Sequence, residues 1–233
     1  MKIKFLFAVL AFAGIAFACK KEASTEVTEE VIETAFDEAN NVFADFTNYD
    51  LEGLGISSDE YFKPIKVGAK APTFELTDSD GKAHSLSSLT KEGPVAMIFY
   101  RGEWCPLCNN HLKALTDNIA QLEEKGVQLI AVTPEPYESV AKMKEKSGAN
   151  FLVLSDPAAK VMKDYGVAFK VTEDYQNKVK EKLGVELNAT PEGDVLLPVP
   201  ATVVINQAGD VVYSHFDPRY SNRASTDDIL AVL

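Results

Sequence analysis

The chain has 233 residues, 46% of them hydrophobic and 25% charged, which suits one globular core with appendages. Its formal net charge of -12 argues against a nucleic-acid partner, because phosphate contacts need Lys and Arg. Three cysteines cannot build a disulfide scaffold, so the core has to be hydrophobic.

Residues 1–18 read as a lipoprotein-type signal peptide. Lys2 and Lys4 make a positive start, and the apolar run from Phe5 to Ala18 falls short of the roughly 20 residues a spanning helix needs. Small Ala16 and Ala18 precede Cys19, which this pattern makes the lipidated residue; ordinary secretory cleavage with a free Cys19 is the alternative. Both readings predict an exported bacterial protein. The first anchors it to a membrane by lipid, facing the periplasm or the cell surface.

Residues 19–64 are expected to hold a polar tether, an amphipathic helix and a connector. The helix is predicted over Glu26 to Asp45, where Val27, Val31, Ala35, Ala39 and Phe43 share one face. The main domain, 65–233, opens with a strand over Ala71 to Thr77, a turn at Asp78 to Lys82, and an extended return at Ala83 to Leu86.

Val95 to Tyr100 is a continuous apolar run and reads as a buried strand. A short turn follows, then Cys105 and Cys108 with two residues between them. Leu112, Leu115, Ile119 and Leu122 then recur at helical spacing. The order strand, turn, dithiol, helix puts both sulfurs at a helix N-terminus. Unpaired N–H groups and the helix dipole favour an anion there, and the thiolate is the reactive form of cysteine. The pair therefore points to redox thiol chemistry.

Further along, Val127 to Val132 reads as a second buried strand, Thr133 to Pro136 as a break, and Tyr137 to Ser147 as a helix. Phe151 to Leu154 reads as a short strand, and Ala158 to Tyr165 as a helix with Asp156 as N-cap and Pro157 in its first turn. Thr172 to Leu183 looks helical, and Asn188 to Asp194 reads as a loop. A proline-led strand at Pro198 to Asn206 turns at Asn206 to Asp210 into Val211 to Ser214. A last helix spans Ser225 to Leu233. The alternation predicts an α/β fold, a mixed central sheet flanked by helices.

Several pieces of this domain together carry a likeness. They are Val67 to Phe74, Phe99 to Cys108, Leu154 to Pro157, Tyr165 to Val167, Pro198 to Thr202 and Asp217 to Arg223. In this order they resemble the peroxiredoxin-like branch of the alkyl hydroperoxide reductase/thiol-specific antioxidant family, within the thioredoxin-like superfamily. The resemblance implies a thioredoxin-like fold and a thiol-dependent peroxidase acting on hydrogen peroxide or alkyl hydroperoxides. It implies a thioredoxin-like dithiol as reductant, no cofactor, and Cys105 and Cys108 as a redox disulfide. It also implies a cis Pro200 lying against the dithiol.

Two alignments name different nucleophiles. Placing Cys108 on the family's peroxidatic position puts Cys105 where Thr is typical and Arg101 where Pro is typical. Trp104-Cys105-Pro106-Leu107-Cys108 resembles instead the dithiol of secreted thioredoxin-like reductases, in which the first cysteine attacks. That leaves a thiol-disulfide oxidoreductase as the second function, and a redox-inert binding lipoprotein as the third. The family's arginine ahead of the proline-led strand is absent, since Val199-Pro200 stands there; Arg101, Arg219 or Arg223 is expected to replace it.

Other readings of these residues are weaker. Cys105, Cys108 and His111 make only three zinc ligands, with no second pair. Haem attachment needs His directly after the second cysteine, where Asn109 stands. His111 reads as an exposed helix residue, Glu103 as solvated, and Trp104 as either a packing or a substrate-facing residue. The sequence sets no oligomeric state.

Overall fold

The computed structural model describes residues 40–233. Eleven strands and seven helices are described there. The strands are β1 (Asn41–Phe43), β2 (Ile56–Ser58), β3 (Glu75–Thr77), β4 (Ala83–Ser85), β5 (Val95–Phe99), β6 (Gln128–Thr133), β7 (Leu152–Ser155), β8 (Ala168–Val171), β9 (Leu196–Pro198), β10 (Ala201–Ile205) and β11 (Val211–Phe216). The helices are α1 (Leu86–Glu92), α2 (Pro106–Asp117), α3 (Ile119–Glu124), α4 (Tyr137–Ser147), α5 (Lys160–Asp164), α6 (Glu173–Leu183) and α7 (Thr226–Leu230).

Eight strands form a mixed sheet in the order β1-β11-β10-β5-β6-β7-β3-β4. β5 lies near its middle, parallel to β6 and antiparallel to β10. Every residue of β5 is buried, as its unbroken apolar run requires of a strand covered on both faces. The expected α/β fold with a mixed sheet flanked by helices is the fold observed.

The predicted helix over Glu26 to Asp45 meets two outcomes. Residues 26–39, like the signal segment and Cys19, lie outside the described residues. Residues 41–43 are not helical: they form β1, parallel to β11, with Val42 opposite His215. Pairing with an edge strand overrides a helical spacing there, since Val42 and Phe43 also suit a pleated surface. The helix predicted from Ala158 is shorter and starts at Lys160, with Ala159 as its cap. Asp156 still serves that end, accepting N–H groups of Lys160 and Met162 at 3.0 Å each.

Besides β1, three strands were not expected: β2, which lies in the predicted connector, β8 and β9. They form a separate three-stranded sheet in the order β2-β8-β9. This sheet matters for function because Thr172, directly after β8, caps α6 by accepting the Tyr175 N–H at 3.2 Å. α6 carries Tyr175 and Val179, which line a cavity together with Cys105.

Pro200 is trans, because no described peptide bond is cis. Trans is the cheaper isomer for X–Pro by about 0.5–1 kcal/mol. The chain runs on from β9 to β10 with the Val199 N–H donating to Val167 O at 2.8 Å, so nothing forces the turn a cis bond would make.

Gly166 follows α5 with φ +69°, and a Cβ there would overlap the Lys63 carbonyl. Lys63 N–H in turn donates to Gly166 O at 3.2 Å. Gly166→Ala must pay left-handed backbone strain and push two backbones apart. It is expected to destabilise by about 3 kcal/mol or more, read as a lower urea midpoint at unchanged slope.

Candidate active site

β5 delivers the chain to the C-terminal edge of the sheet, and Tyr100 to Trp104 form the turn into α2. A Cβ at Gly102 would overlap Trp104 Nε1 and lie 2.8 Å from Glu135 Oε1, so only glycine lets these groups close over the turn. Cys105 is the N-cap of α2, with φ -88° and ψ 107°, and Pro106 occupies the first turn. Its Sγ accepts the Cys108 N–H at 3.4 Å. The sulfur thus takes the place a serine or aspartate oxygen takes in an ordinary cap.

Both cysteines are free thiols. Their sulfurs are 2.7 Å apart, whereas a disulfide bond is about 2.05 Å long, so joining them needs little movement. Each sulfur has its own arginine. Arg101 Nη2 donates to Cys105 Sγ at 3.4 Å, and Arg223 Nη2 donates to Cys108 Sγ at 3.5 Å. Of the three arginines expected to stand in for the absent family arginine, these two reach a sulfur. Arg219 does not join them: it pairs with Asp217 at 3.1 Å and stacks over Tyr49.

Arg101 is 3% exposed. Burial alone would weaken its charge, but the Cys105 and Cys108 sulfurs outweigh burial and raise its pKa. Its guanidinium lies 4.0 Å from the Tyr220 ring centroid, and Nη1 donates to Tyr175 Oη at 2.7 Å. Tyr175 comes from α6 and Tyr220 from the tail after β11, so two distant segments aim one cation at one sulfur. Tyr220→Ala removes a desolvated cation–π contact worth about 2 kcal/mol. Reaction of Cys105 with iodoacetamide is expected to slow about tenfold in that variant, with the thermal midpoint lowered by a few degrees.

The thiols titrate as a pair, not singly. Burial opposes charge on Cys108, but the hydrogen bond to Cys105 and the Arg223 and Arg101 cations outweigh it, so the first proton leaves below the ordinary thiol range. The hydrogen bond to Cys108 and burial then hold the second proton, pushing that step well up. At neutral pH the pair carries one negative charge, favoured on Cys108 by Arg223 and Arg101, and one proton, held on Cys105.

The two sulfurs differ in access. Cys105 lines an open cavity of about 250 Å³, together with Arg101, Trp104, Leu107, Val179 and Tyr220. Cys108 is fully buried and does not line it. Trp104, 8% exposed, is both a packing residue and a wall of this cavity.

His111 is not exposed: Nε2 contacts Ala224 O at 2.9 Å. Burial and the nearby Arg223 cation lower its pKa to about 4, so it stays neutral at neutral pH. Glu103 is half-buried and its carboxylate pairs with Lys146. Among the described residues no three His, Cys, Asp or Glu side chains converge as a metal site.

Glu135, Tyr175 and Tyr220 had no role in the sequence reading. Glu135 carried a signal: a lone carboxylate at the end of a buried strand, between two prolines.

Comparison with known proteins follows this geometry closely. The AhpC/TSA family profile matches residues 67–214, which include β3 to β10, the dithiol and most of β11. The chain belongs to the AhpC/TSA family. Among curated AhpC/TSA-like relatives, the chloroplastic peroxiredoxin Q of Oryza sativa subsp. japonica is 33% identical over 124 residues, 52% of this chain and 57% of that protein. Peroxiredoxin Bcp of Escherichia coli (strain K12) is 32% identical over 104 residues, 45% of this chain and 66% of that one. The chain thus spans 57% of the length of the rice relative. Peroxidoxin BcpB from Mycobacterium tuberculosis superposes with a TM-score of 0.59 at 22% identity, covering 72% of this chain and 96% of that one. Reduced Prx3 in complex with hydrogen peroxide, from Vibrio vulnificus, gives 0.58 at 20% identity, covering 72% and 97%. These likenesses confirm the AhpC/TSA fold.

Proposed function

We propose that the chain is a thiol-dependent peroxidase that reduces hydrogen peroxide or alkyl hydroperoxides, with Cys105 attacking and Cys108 resolving. The observation that carries this reading is that Cys105 alone of the two sulfurs faces the open cavity, with Arg101 upon it and Cys108 Sγ 2.7 Å behind. Membership of the AhpC/TSA family supports the peroxide as oxidant.

In the first step Cys105 passes its proton across the 2.7 Å to Cys108 Sγ, and the Cys105 thiolate so formed attacks one peroxide oxygen. The O–O bond breaks, Cys105 becomes a sulfenic acid, and the leaving alkoxide takes a proton to give an alcohol or water. Arg101 stabilises the Cys105 thiolate and then the negative oxygen as each forms. In the second step Cys108 attacks the sulfenic sulfur, a disulfide forms and water leaves. A thioredoxin-like dithiol then attacks the disulfide and returns both cysteines to thiols.

The test gives reduced protein hydrogen peroxide and cumene hydroperoxide in one arm and insulin disulfides in the other. Loss of one peroxide per dithiol is the expected result. Insulin reduction without peroxide loss would move the chain to the thiol-disulfide oxidoreductases.

We also propose that the domain works outside the cytoplasm, tethered by lipid on Cys19. The support is the sequence pattern of residues 1–19. One acyl chain alone binds a membrane only reversibly, so more than one is needed for a stable tether. Cys19→Ala should move the protein from the membrane pellet to the soluble fraction.

A further inference from the structure

Two segments far apart in the chain converge on the Tyr175 ring. Thr172, directly after β8, caps α6 and accepts the Tyr175 N–H at 3.2 Å. Gly55 comes from the other side with φ +87°. A Cβ there would lie 2.5 Å from Tyr175 Cγ, so the connector packs flat on the ring only as glycine. The Thr172 N–H donates to Gly55 O at 2.9 Å and ties the two segments together. Backbone on two sides thus sets the ring, and the hydroxyl at its end reaches Arg101.

Arg101 joins this hydroxyl to the dithiol. Nη1 donates to Tyr175 Oη at 2.7 Å, and Nη2 donates to Cys105 Sγ at 3.4 Å. Both nitrogens belong to one rigid planar fork, so the phenol oxygen and the sulfur lie side by side on it. Tyr175 and Cys105 also line the same open cavity of about 250 Å³. The phenol oxygen accepts from Arg101 and keeps its own hydrogen. Among the described residues no group accepts that hydrogen. Burial raises the Tyr175 pKa further than the Arg101 cation lowers it, so the hydroxyl stays protonated at neutral pH. Tyr220 meets the same guanidinium with its ring face.

We propose that Tyr175 is a catalytic acid of the peroxide step, donating its hydroxyl proton to the oxygen that leaves. The inference rests on the peroxidase reading above and names the proton donor that step needs. A hydroperoxide lying along the Arg101 fork has its near oxygen at Cys105 Sγ and its far oxygen toward Tyr175 Oη. The Cys105 thiolate forms an S–O bond, and the O–O bond breaks. Its electron pair goes to the far oxygen, which takes the Tyr175 proton and departs as alcohol or water. The sulfur is oxidised by two electrons to the sulfenic acid, and the peroxide is reduced by the same two. Tyr175 is left as a tyrosinate, held by the Arg101 N–H, until a proton from water restores it. Cys108, carrying the proton it took from Cys105, then displaces the sulfenic hydroxyl, and that proton leaves with it as water. A bare alkoxide or hydroxide is a strong base and a poor leaving group, and a positioned acid contributes about 10²–10⁴-fold there.

The experiment varies the leaving oxygen. Reduced wild type and Tyr175→Phe are mixed with hydrogen peroxide in one arm and peracetic acid in the other. Trp104 fluorescence follows the single turnover. Hydroxide leaves from the first oxidant and needs a proton; acetate leaves from the second as a weak base and needs none. Tyr175→Phe should slow the hydrogen peroxide arm about 100-fold and the peracetic acid arm at least ten times less. Slowing of both arms by the same factor overturns the proposal, since loss of the Arg101 seat alone would give that. Wild type that leaves hydrogen peroxide unconsumed overturns the peroxidase reading and the donor with it. The wild type therefore reads that function, and the ratio between arms reads the donor. Should Tyr175→Phe not fold, a singly ring-fluorinated tyrosine in place of Tyr175 decides. It keeps the ring and the Arg101 contact but is a stronger acid. A faster hydrogen peroxide arm with an unchanged peracetic acid arm supports the donor, and an unchanged ratio overturns it.

Discussion

Cys105→Ser should lose peroxide turnover by about 10⁴-fold or more, because it removes the attacking atom itself. Cys108→Ser should behave differently. It keeps the cavity-facing sulfur, the Arg101 contact and the helix N-terminus. It should therefore consume one peroxide per protein and then stop, since no neighbouring thiol remains to displace the sulfenic hydroxyl. Stopped-flow measurement of peroxide loss separates the two. Trp104, the chain's single tryptophan, reports the same steps by fluorescence. The reverse pattern, with Cys105→Ser giving the single turnover, would make the buried Cys108 the nucleophile and require the α2 N-terminus to open.

Arg101→Met should slow the peroxide reaction by about 10²–10³-fold, the usual cost of removing one preorganised donor from a developing anion. The pH dependence should move with it. In wild type the pair's first pKa is depressed, with the charge favoured on Cys108, so the pair keeps the base that takes the Cys105 proton at neutral pH, and activity falls as pH drops through that pKa. Without Arg101 the pKa rises, and the lower limb of the rate profile shifts toward alkaline pH. Rate measured from acid to alkaline pH checks the shift. Arg101→Lys should recover part of the rate, because it restores charge but not the fork that reaches both Cys105 and Tyr175. A rate for Arg101→Met within threefold of wild type would show that the helix N-terminus and Arg223 suffice.

The centre of the molecule was legible in the sequence because its signals are local. The apolar run of β5, the spacing of Cys105 and Cys108, and the helical repeat after them lie within one short stretch. The outer parts failed where structure depends on distant pairing. β8 is four residues and β9 three; β8 is fixed by β2 and β9 on its two sides and β9 by β8, not by their own patterns. β1 fails for the same reason, its helical spacing losing to β11. At the site, the thiols were readable and their surroundings were not. Arg223 was one of three arginines open to the role, and only the path of the tail after β11 sets it at Cys108. Tyr220, in the tail after β11, and Tyr175, in α6, meet Arg101 from segments far from it in sequence. Pro200 followed a family pattern that this chain does not keep.

The central claim is that Cys105 is the sulfur that meets peroxide. Its most direct test is mass mapping of Cys108→Ser after one equivalent of hydrogen peroxide, with a sulfenic-acid trap present. The account predicts one trapped adduct per chain, on Cys105, formed at the rate of peroxide loss. Peroxide loss with no adduct on Cys105, or an intact reduced Cys105 after the peroxide has been added, would contradict it.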